Sequence, residues 1–390
     1  MDVLPWQYVF KGDLLKRILI DARWLTNSVR GIGVFTKNLI YALMENSHEK
    51  FEFYLAMRSK YVSSFSSMLP SNFHIVQIPD WYPDPLLDLL FFNYLTKKVS
   101  ADVVHFTGNT GFILPGLATR VLLTLHDVSF LKSADVVPFP RHNLRQAIGR
   151  IYRKALVPFY AKRATKVCTV SEFAVIDILH ELGITSEFIY HGFEPPTAEV
   201  SDLIQEEAVY GKLGKPGYLV ITGADPQKNL SLVVSAFITL FRKYEKDAPK
   251  LSIIGVTREH YERISPTVVL TENISFLGMR PHREISGHIC RCKALVIPSY
   301  YESFGLPVIE SLSLHKAPLC STGGALPEIG STFAHYFDPR DPDTLVKVVE
   351  AVETNKLTID LPAERVDDYL ERFRWSMVAS FYLNHYRYMG

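Results

Sequence analysis

Ala294-Leu295-Val296-Ile297-Pro298 runs, two residues on, into Tyr301-Glu302-Ser303-Phe304-Gly305-Leu306-Pro307-Val308-Ile309-Glu310. The first run is apolar and short enough for a buried strand. The second opens on a glycine turn and continues as a helix-compatible run to Leu314. Strand, glycine turn and helix together aim backbone N–H groups at an anion. Pro307 suits the first helical position, where its missing N–H costs nothing. Glu302 and Glu310 flank the turn. A carboxylate beside a phosphate is costly unless it has another partner, and sugar and ribose hydroxyls are such partners. Two glutamates at this spacing also occur as plain surface charges. The preceding strand, the proline and a following Gly323-Gly324-Ala325-Leu326-Pro327-Glu328 favour a nucleotide-sugar site.

Outward from this stretch, short β-rich runs alternate with longer helical ones, the pattern of parallel α/β layers. The strands expected in the first half are 17–21, 51–56, 74–78, 103–106, 121–124, 166–170 and 188–190. Helices are expected around 35–45, 88–99, 145–163 and 173–182. A fresh series begins at Tyr218–Thr222 and continues through 251–254, 274–276, 295–298, 319–321 and 335–337, with helices near 230–244, 284–292, 308–314 and 343–352. Between the halves, Phe193–Gly217 carries Pro195-Pro196, Gly211, Gly214, Pro216 and Gly217, a linker composition. The expected fold is α/β: two doubly wound, Rossmann-like domains facing across a cleft. Residues 1–200 form the first, 201–372 the second, and 373–390 an aromatic helix that packs back. Ligands in such sheets sit beyond the carboxyl ends of the strands.

At 390 residues the chain exceeds one ordinary core. It is 47% hydrophobic and 21% charged, as soluble globular proteins are. A net charge of +1 gives no global field for nucleic acid. The four cysteines are too few and scattered for a disulfide framework, and Cys290-Arg291-Cys292 lacks a zinc-site spacing. Reduced thiols and a cytoplasmic setting are expected, with no signal peptide, no membrane span and no metal.

Other positions suggest chemistry. Lys228, in Gly223-Ala224-Asp225-Pro226-Gln227-Lys228-Asn229, follows a strand and precedes a helix, well placed to meet phosphate. Alone it would equally be a solvated loop lysine. Gly31-Ile32-Gly33 is a turn into a helix that lacks the third glycine of a dinucleotide fingerprint. It reads as a turn that lets a ligand approach the backbone. His126 and Asp127 end an apolar strand, where a histidine serves hydroxyl binding or acid–base work, or else caps the strand. Asn109, also after a strand, is a candidate for the acceptor side. From Val136 to Ser171 there is no acidic residue but eight basic ones: Arg141, Arg145, Arg150, Arg153, Lys154, Lys162, Arg163 and Lys166. With interleaved apolar residues, this segment suits an anionic bilayer or an ordinary solvated helix that Pro158 interrupts.

Taken together, Asp21-Ala22-Arg23, Gly31-Ile32-Gly33, Leu125-His126-Asp127, Pro226-Gln227-Lys228-Asn229, the Glu302/Glu310 pair and Leu326-Pro327-Glu328 resemble the family 4 retaining glycosyltransferases of the GT-B fold. They look most like bacterial polysaccharide or O-antigen mannosyltransferases. The resemblance covers the chain from about Ile18 to Ser376. It implies that Lys228 holds the donor diphosphate and Glu302 contacts the donor sugar. Ser303, Phe304, Gly305 and Leu306 would meet sugar and phosphates, and Glu310 the ribose. Gly31 and Gly33 would approach the diphosphate, and His126 the transferred sugar. Asn109, His126 and Asp127 would face the acceptor. The implied partners are a nucleotide diphosphate sugar and a glycan or lipid-linked acceptor at the inner membrane face, with no cofactor. The family's arginine beside the lysine is absent; Ala224 and Gln227 stand there, with Arg258 and Arg280 as candidate substitutes. That departure keeps a non-catalytic scaffold in view, and the fold also hosts sugar-nucleotide epimerases.

Overall fold

Apolar runs bounded by turn residues become parallel strands in the computed structural model of the chain, which describes residues 15–25, 31–46, 50–63, 65, 69–114, 118–138, 144–194, 216–223 and 225–389. The first sheet contains β1 (Lys16–Asp21), β2 (Phe51–Arg58), β3 (Phe73–Ile78), β4 (Val103–Phe106), β5 (Arg120–Thr124), β6 (Lys166–Thr169) and β7 (Glu187–Phe188). Its order is β3-β2-β1-β4-β5-β6-β7. The second contains β8 (Tyr218–Ile221), β9 (Leu251–Ile254), β10 (Ile274–Gly278), β11 (Ala294–Ile297), β12 (Leu319–Ser321) and β13 (His335–Phe337), in the order β10-β9-β8-β11-β12-β13. Near-continuous burial along β1, β4 and β11 fits sheets covered on both faces.

The strand order reverses once in each all-parallel sheet, between β1 and β4 in the first and between β8 and β11 in the second. At such a switch point neighbouring loops leave in opposite directions and open a crevice. In the second sheet one of those loops carries Lys228 and the other carries Glu302. In the first sheet they lead to Gly31 and Asn109. There Thr36 Oγ1 donates to Thr107 Oγ1 at 2.9 Å, and Thr107 Oγ1 donates to the Asp21 carbonyl at 2.7 Å. The helix Ile32–Asn46 and the Asn109 loop are thus tied to the end of β1.

Two compact units emerge from the contacts within the chain. One comprises residues 1–124, 160–167 and 378–390; the other comprises 125–159 and 168–377. In the first unit the closing helix Trp375–Tyr388 contributes Tyr386, whose hydroxyl pairs with His105 Nδ1 at 2.6 Å. Tyr382 and Thr124 hydroxyls lie 2.9 Å apart, and Lys16 Nζ donates to the Arg387 carbonyl at 2.6 Å. The second unit has two apolar clusters, one centred on Phe237, Ile253 and Val349 and the other on Val308, Ile309, Leu312 and Phe373.

One expectation is corrected. Pro158 does not interrupt the basic segment: a single helix runs from Leu144 to Arg163 with the proline inside it. A proline removes one backbone donor, and solvent on the exposed side, where Lys154 lies, can take up the freed carbonyl. Arg141 and most of the expected linker, residues 195–215, lie outside the described residues. Among the described residues no helix is long and apolar enough to cross a membrane.

Candidate functional site

Asp225 begins the loop after β8 by accepting the Gln227 N–H on its side chain at 3.1 Å, which starts the short turn Pro226–Lys228. Asn229 then adopts φ +53° and leads into the helix Leu230–Tyr244. It is held there by donating to the carbonyls of Pro298 (3.1 Å) and Pro339 (2.8 Å). This local chemistry projects Lys228 toward the neighbouring strand's loop. Lys228 Nζ lies 2.6 Å from Glu302 Oε1, and Ser299 Oγ donates to the same oxygen at 2.6 Å. Glu302 Oε2 takes no hydrogen bond from the described residues, so one face of the carboxylate stays available to a hydroxyl.

Gln227 stitches the two loops together. Its side-chain N–H donates to the Tyr301 carbonyl at 2.6 Å, and its carbonyl accepts the Tyr300 N–H at 2.9 Å. It stands beside the lysine where an arginine was expected, and its role is to fix backbone. Arg258 pairs with Glu262 at 3.2 Å on an exposed helix surface.

Gly305 takes φ +110°, which L side chains rarely adopt, and its N-cap position opens the helix Leu306–Leu312 with Pro307 in the first turn. The chain preceding it is packed: Phe304 is buried against His191 at 5.6 Å and Phe373 at 5.9 Å. The Ser303 carbonyl accepts from Ser171 Oγ at 2.6 Å. Leu306 packs at the edge of the cluster around Val308. On the same helix Glu310 is partly buried, and burial pushes its carboxyl from the ordinary 4.5 to about 7.

The glycine pair Gly323-Gly324 closes the other side. A Cβ on Gly323 would sit 2.3 Å from the Ser299 carbonyl oxygen, and one on Gly324 would sit 2.1 Å from that of Glu302. Gly324 also has φ +68°. Ala325 donates its N–H to the Glu302 carbonyl at 2.8 Å. Close backbone approach therefore demands glycine here. Glu328, at the end of this motif, accepts the N–H groups of Glu172 and Phe173 at 2.8 Å each. It caps a helix N-terminus, where a carboxylate is favoured.

His126 and Asp127 follow β5 in the same unit as Lys228 and Glu302. His126 is buried, and burial chiefly pushes the neighbouring His191 imidazole down to about 4. Asp127 accepts from Ser129 N at 2.9 Å and Ser129 Oγ at 2.5 Å, so it shapes the turn after the strand. Gly31, at φ +60°, precedes the helix Ile32–Asn46, and Gly33 lies in its first turn. Asn109 is buried beyond β4. These three belong to the other unit.

Sequence reasoning missed Ser299, the stitching by Gln227 and a network behind Tyr301. Tyr301 Oη donates to Asp177 at 2.7 Å, and Lys132 reaches both Asp177 and Glu181. These partners lie far apart in sequence and share no motif. Among the described residues no group of His, Cys, Asp and Glu is placed to hold a metal.

The arrangement offers a cation, a glycine-started helix and two carboxylates at a switch point, the parts needed to hold a phosphorylated, hydroxyl-rich ligand. Known proteins agree with that chemistry. The Glycosyltransferase Family 4 pattern matches residues 29–195, and the Glycosyl transferases group 1 pattern matches residues 178–368. The chain is 22% identical over 304 residues to O-antigen chain mannosyltransferase B of Escherichia coli, covering 71% of this chain and 72% of that one. The sucrose-phosphate synthase of Thermosynechococcus elongatus superposes with a TM-score of 0.67 at 16% identity, over 95% of this chain and 98% of that one. Anabaena HepE in complex with UDP-glucose gives 0.65 at 13% identity, over 95% and 98%. These likenesses establish the two-domain GT-B fold. With the two patterns together spanning residues 29–368, the chain belongs to the glycosyltransferases of family 4.

Proposed function

We propose that this glycosyltransferase moves a hexose, with retained anomeric configuration, from a nucleotide diphosphate sugar to a hydroxyl of a glycan or lipid-linked oligosaccharide. The observation that carries the reading is the Lys228–Glu302 pair beside the Gly305 helix start. Lys228 and the helix N–H groups would stabilise the leaving diphosphate, and no metal is required in this reading. Glu302 would hold the sugar hydroxyls and the positive charge that develops at the anomeric carbon. The leaving phosphate would accept the acceptor's proton on the same face, so no second carboxylate is needed as a nucleophile. Glu310 would take the ribose, His126 and Asp127 the acceptor side, with Gly31, Gly33 and Asn109 contributed by the first domain. Mannose from GDP-mannose is the donor first in line, supported by the mannosyltransferase relative.

We extend the reading to the inner membrane face, where a lipid-linked acceptor would be met. On the helix Leu144–Arg163, Leu144, Ile148, Ile151 and Phe159 are exposed beside Lys154, as a helix lying on anionic lipid would present them. Arg150 is not part of that face: it is buried and donates to the carbonyls of Lys132 (2.7 Å) and Val137 (3.0 Å).

The test is incubation with GDP-mannose and other nucleotide sugars, with and without a glycan acceptor, followed by NMR of the product. An acceptor-dependent product with the donor's anomeric configuration supports the reading. An inverted product refutes retention. Donor conversion without acceptor indicates an epimerase, and donor binding without any turnover indicates a scaffold.

A further inference from the structure

The segment after β3 buries polar residues beside its apolar ones and leaves a second apolar face outward. The helix Asp84–Leu86, a π-helical turn Leu87–Phe91 and the helix Phe92–Val99 run on without a break. A helix on the surface of a water-soluble protein normally buries its apolar stripe and shows water its polar one. Here Asp88, Asn93 and Thr96 are buried together with Leu87, Phe92 and Leu95, whereas Leu86, Leu89, Leu90 and Tyr94 are exposed, and Leu90 and Tyr94 are each 56% exposed. The buried polar groups are all satisfied. Asp88 meets Arg23 at 2.5 Å, Asn93 donates to the Leu89 and Phe112 carbonyls and accepts the Leu114 N–H at 2.6 Å, and Thr96 donates to the Phe92 carbonyl. The arrangement is therefore built.

Trp81, 78% exposed, extends the apolar face. Its ring leads a row through Tyr82, Phe91 and Tyr94, with successive centroids 5.3, 5.0 and 6.0 Å apart. Exposed Leu114 joins through its backbone bond to Asn93.

We propose that this face is a lipid-docking surface that seats in the headgroup and upper acyl region of a bilayer. Charge selects this occupant. Of the carboxylates in the segment, exposed Asp84 is paired with Arg58 at 2.6 Å and buried Asp88 with Arg23, which leaves exposed Asp80 as the one with no ion pair among the described residues. Lys97 and Lys98 stand exposed at the end of the segment, with Lys98 Nζ 5.9 Å from the Tyr94 ring centre. Trp and Tyr, apolar with one polar tip, are the residues that favour the membrane–water boundary, and neighbouring lysines meet lipid phosphates. The face also adjoins the loop beyond β4 that carries Asn109, through the Asn93 bonds to Phe112 and Leu114. A lipid-anchored acceptor would thus enter at the bilayer boundary. The proposal rests on the membrane reading above but names a different surface from the helix Leu144–Arg163.

The experiment is flotation of the full chain with vesicles of phosphatidylethanolamine and phosphatidylglycerol. Wild type is compared with the combined variant Trp81→Ser/Leu90→Gln/Tyr94→Ser and, separately, with Lys154→Glu/Lys162→Glu. Circular dichroism confirms folding of each. The proposal expects the apolar-face variant to lose about tenfold or more of its vesicle binding, including at high salt where charge attraction is screened. Turnover on a short water-soluble acceptor should stay unchanged. Unchanged vesicle binding by the apolar-face variant overturns it. If only the lysine variant loses binding, the membrane reading survives on the other helix and this proposal fails. A wild-type dimer that the apolar-face variant converts to monomer, with equal vesicle binding, assigns the face to a second copy instead. If wild type does not float, both membrane statements fall and sugar transfer is judged by its own assay.

Discussion

Glu302 accepts the Lys228 ammonium and the Ser299 hydroxyl on one oxygen, so its charge is already partly balanced before any ligand arrives. Its contribution to catalysis then lies in what its free oxygen meets as charge develops. Glu302→Gln should cut kcat by more than tenfold while nucleotide affinity changes by less than about threefold, since only interactions stronger in the transition state speed the step. Equal losses in kcat and in affinity, measured by steady-state kinetics and calorimetry, would contradict this role. Lys228→Ala should act the other way, weakening nucleotide diphosphate binding by about 10- to 100-fold, the range of one lost charged hydrogen bond. Glu310 makes a pH prediction. A carboxyl raised from 4.5 to about 7 carries a folding penalty that is absent below pH 4.5, grows as pH rises, and is complete above pH 7. Glu310→Gln should therefore raise the melting temperature at pH 8 and leave it nearly unchanged at pH 4. A shift of equal size at both would show that burial does not disfavour the charge.

Two elements depend on close approach that sequence only hints at. Gly324 combines positive φ with contact to the Glu302 backbone, so Gly324→Ala should destabilise by about 2 kcal/mol or more and disturb Glu302 as well. Chemical denaturation and donor affinity would both register it; a neutral result would deny the close contact. At the end of β1, Arg23 bridges buried Asp21 and Asp88 at 2.7 and 2.5 Å. Removing its charge leaves two buried carboxylates, so Arg23→Met should cost about 3–5 kcal/mol in urea unfolding. Much of this scale was legible in the sequence. Strands ended near the expected residues because apolar runs stop where turn residues begin, and the helix at Pro307 began within two residues of the expected start, Val308. Pro158 was misread because a proline signals a break only when its helix lacks other support. The outward apolar face of 86–94 was not legible, because periodicity marks a face without saying whether anything covers it. Gln227 and the Tyr301–Asp177–Lys132 network were equally hidden, being contacts across 45 to 124 positions of chain.

For the whole molecule, a seven-stranded and a six-stranded sheet wind alike, each with one switch point; Gly31 and Asn109 fall at the first and Lys228 and Glu302 at the second, while His126 and Asp127 follow β5. From Val378 the closing helix belongs to the unit that holds β1 to β5, through Tyr382, Tyr386 and Lys16. In the proposed function, Lys228 and Glu302 form the donor site of a nucleotide-sugar transferase. The most direct measurement is a thermal-shift series on wild type and Lys228→Ala with GDP, UDP, ADP, dTDP and their sugar conjugates. A ligand at 100 times its Kd adds about 2.7 kcal/mol of stability. Wild type should shift clearly with one base, and Lys228→Ala by much less. No shift with any nucleotide, or an equal shift in both proteins, would contradict it.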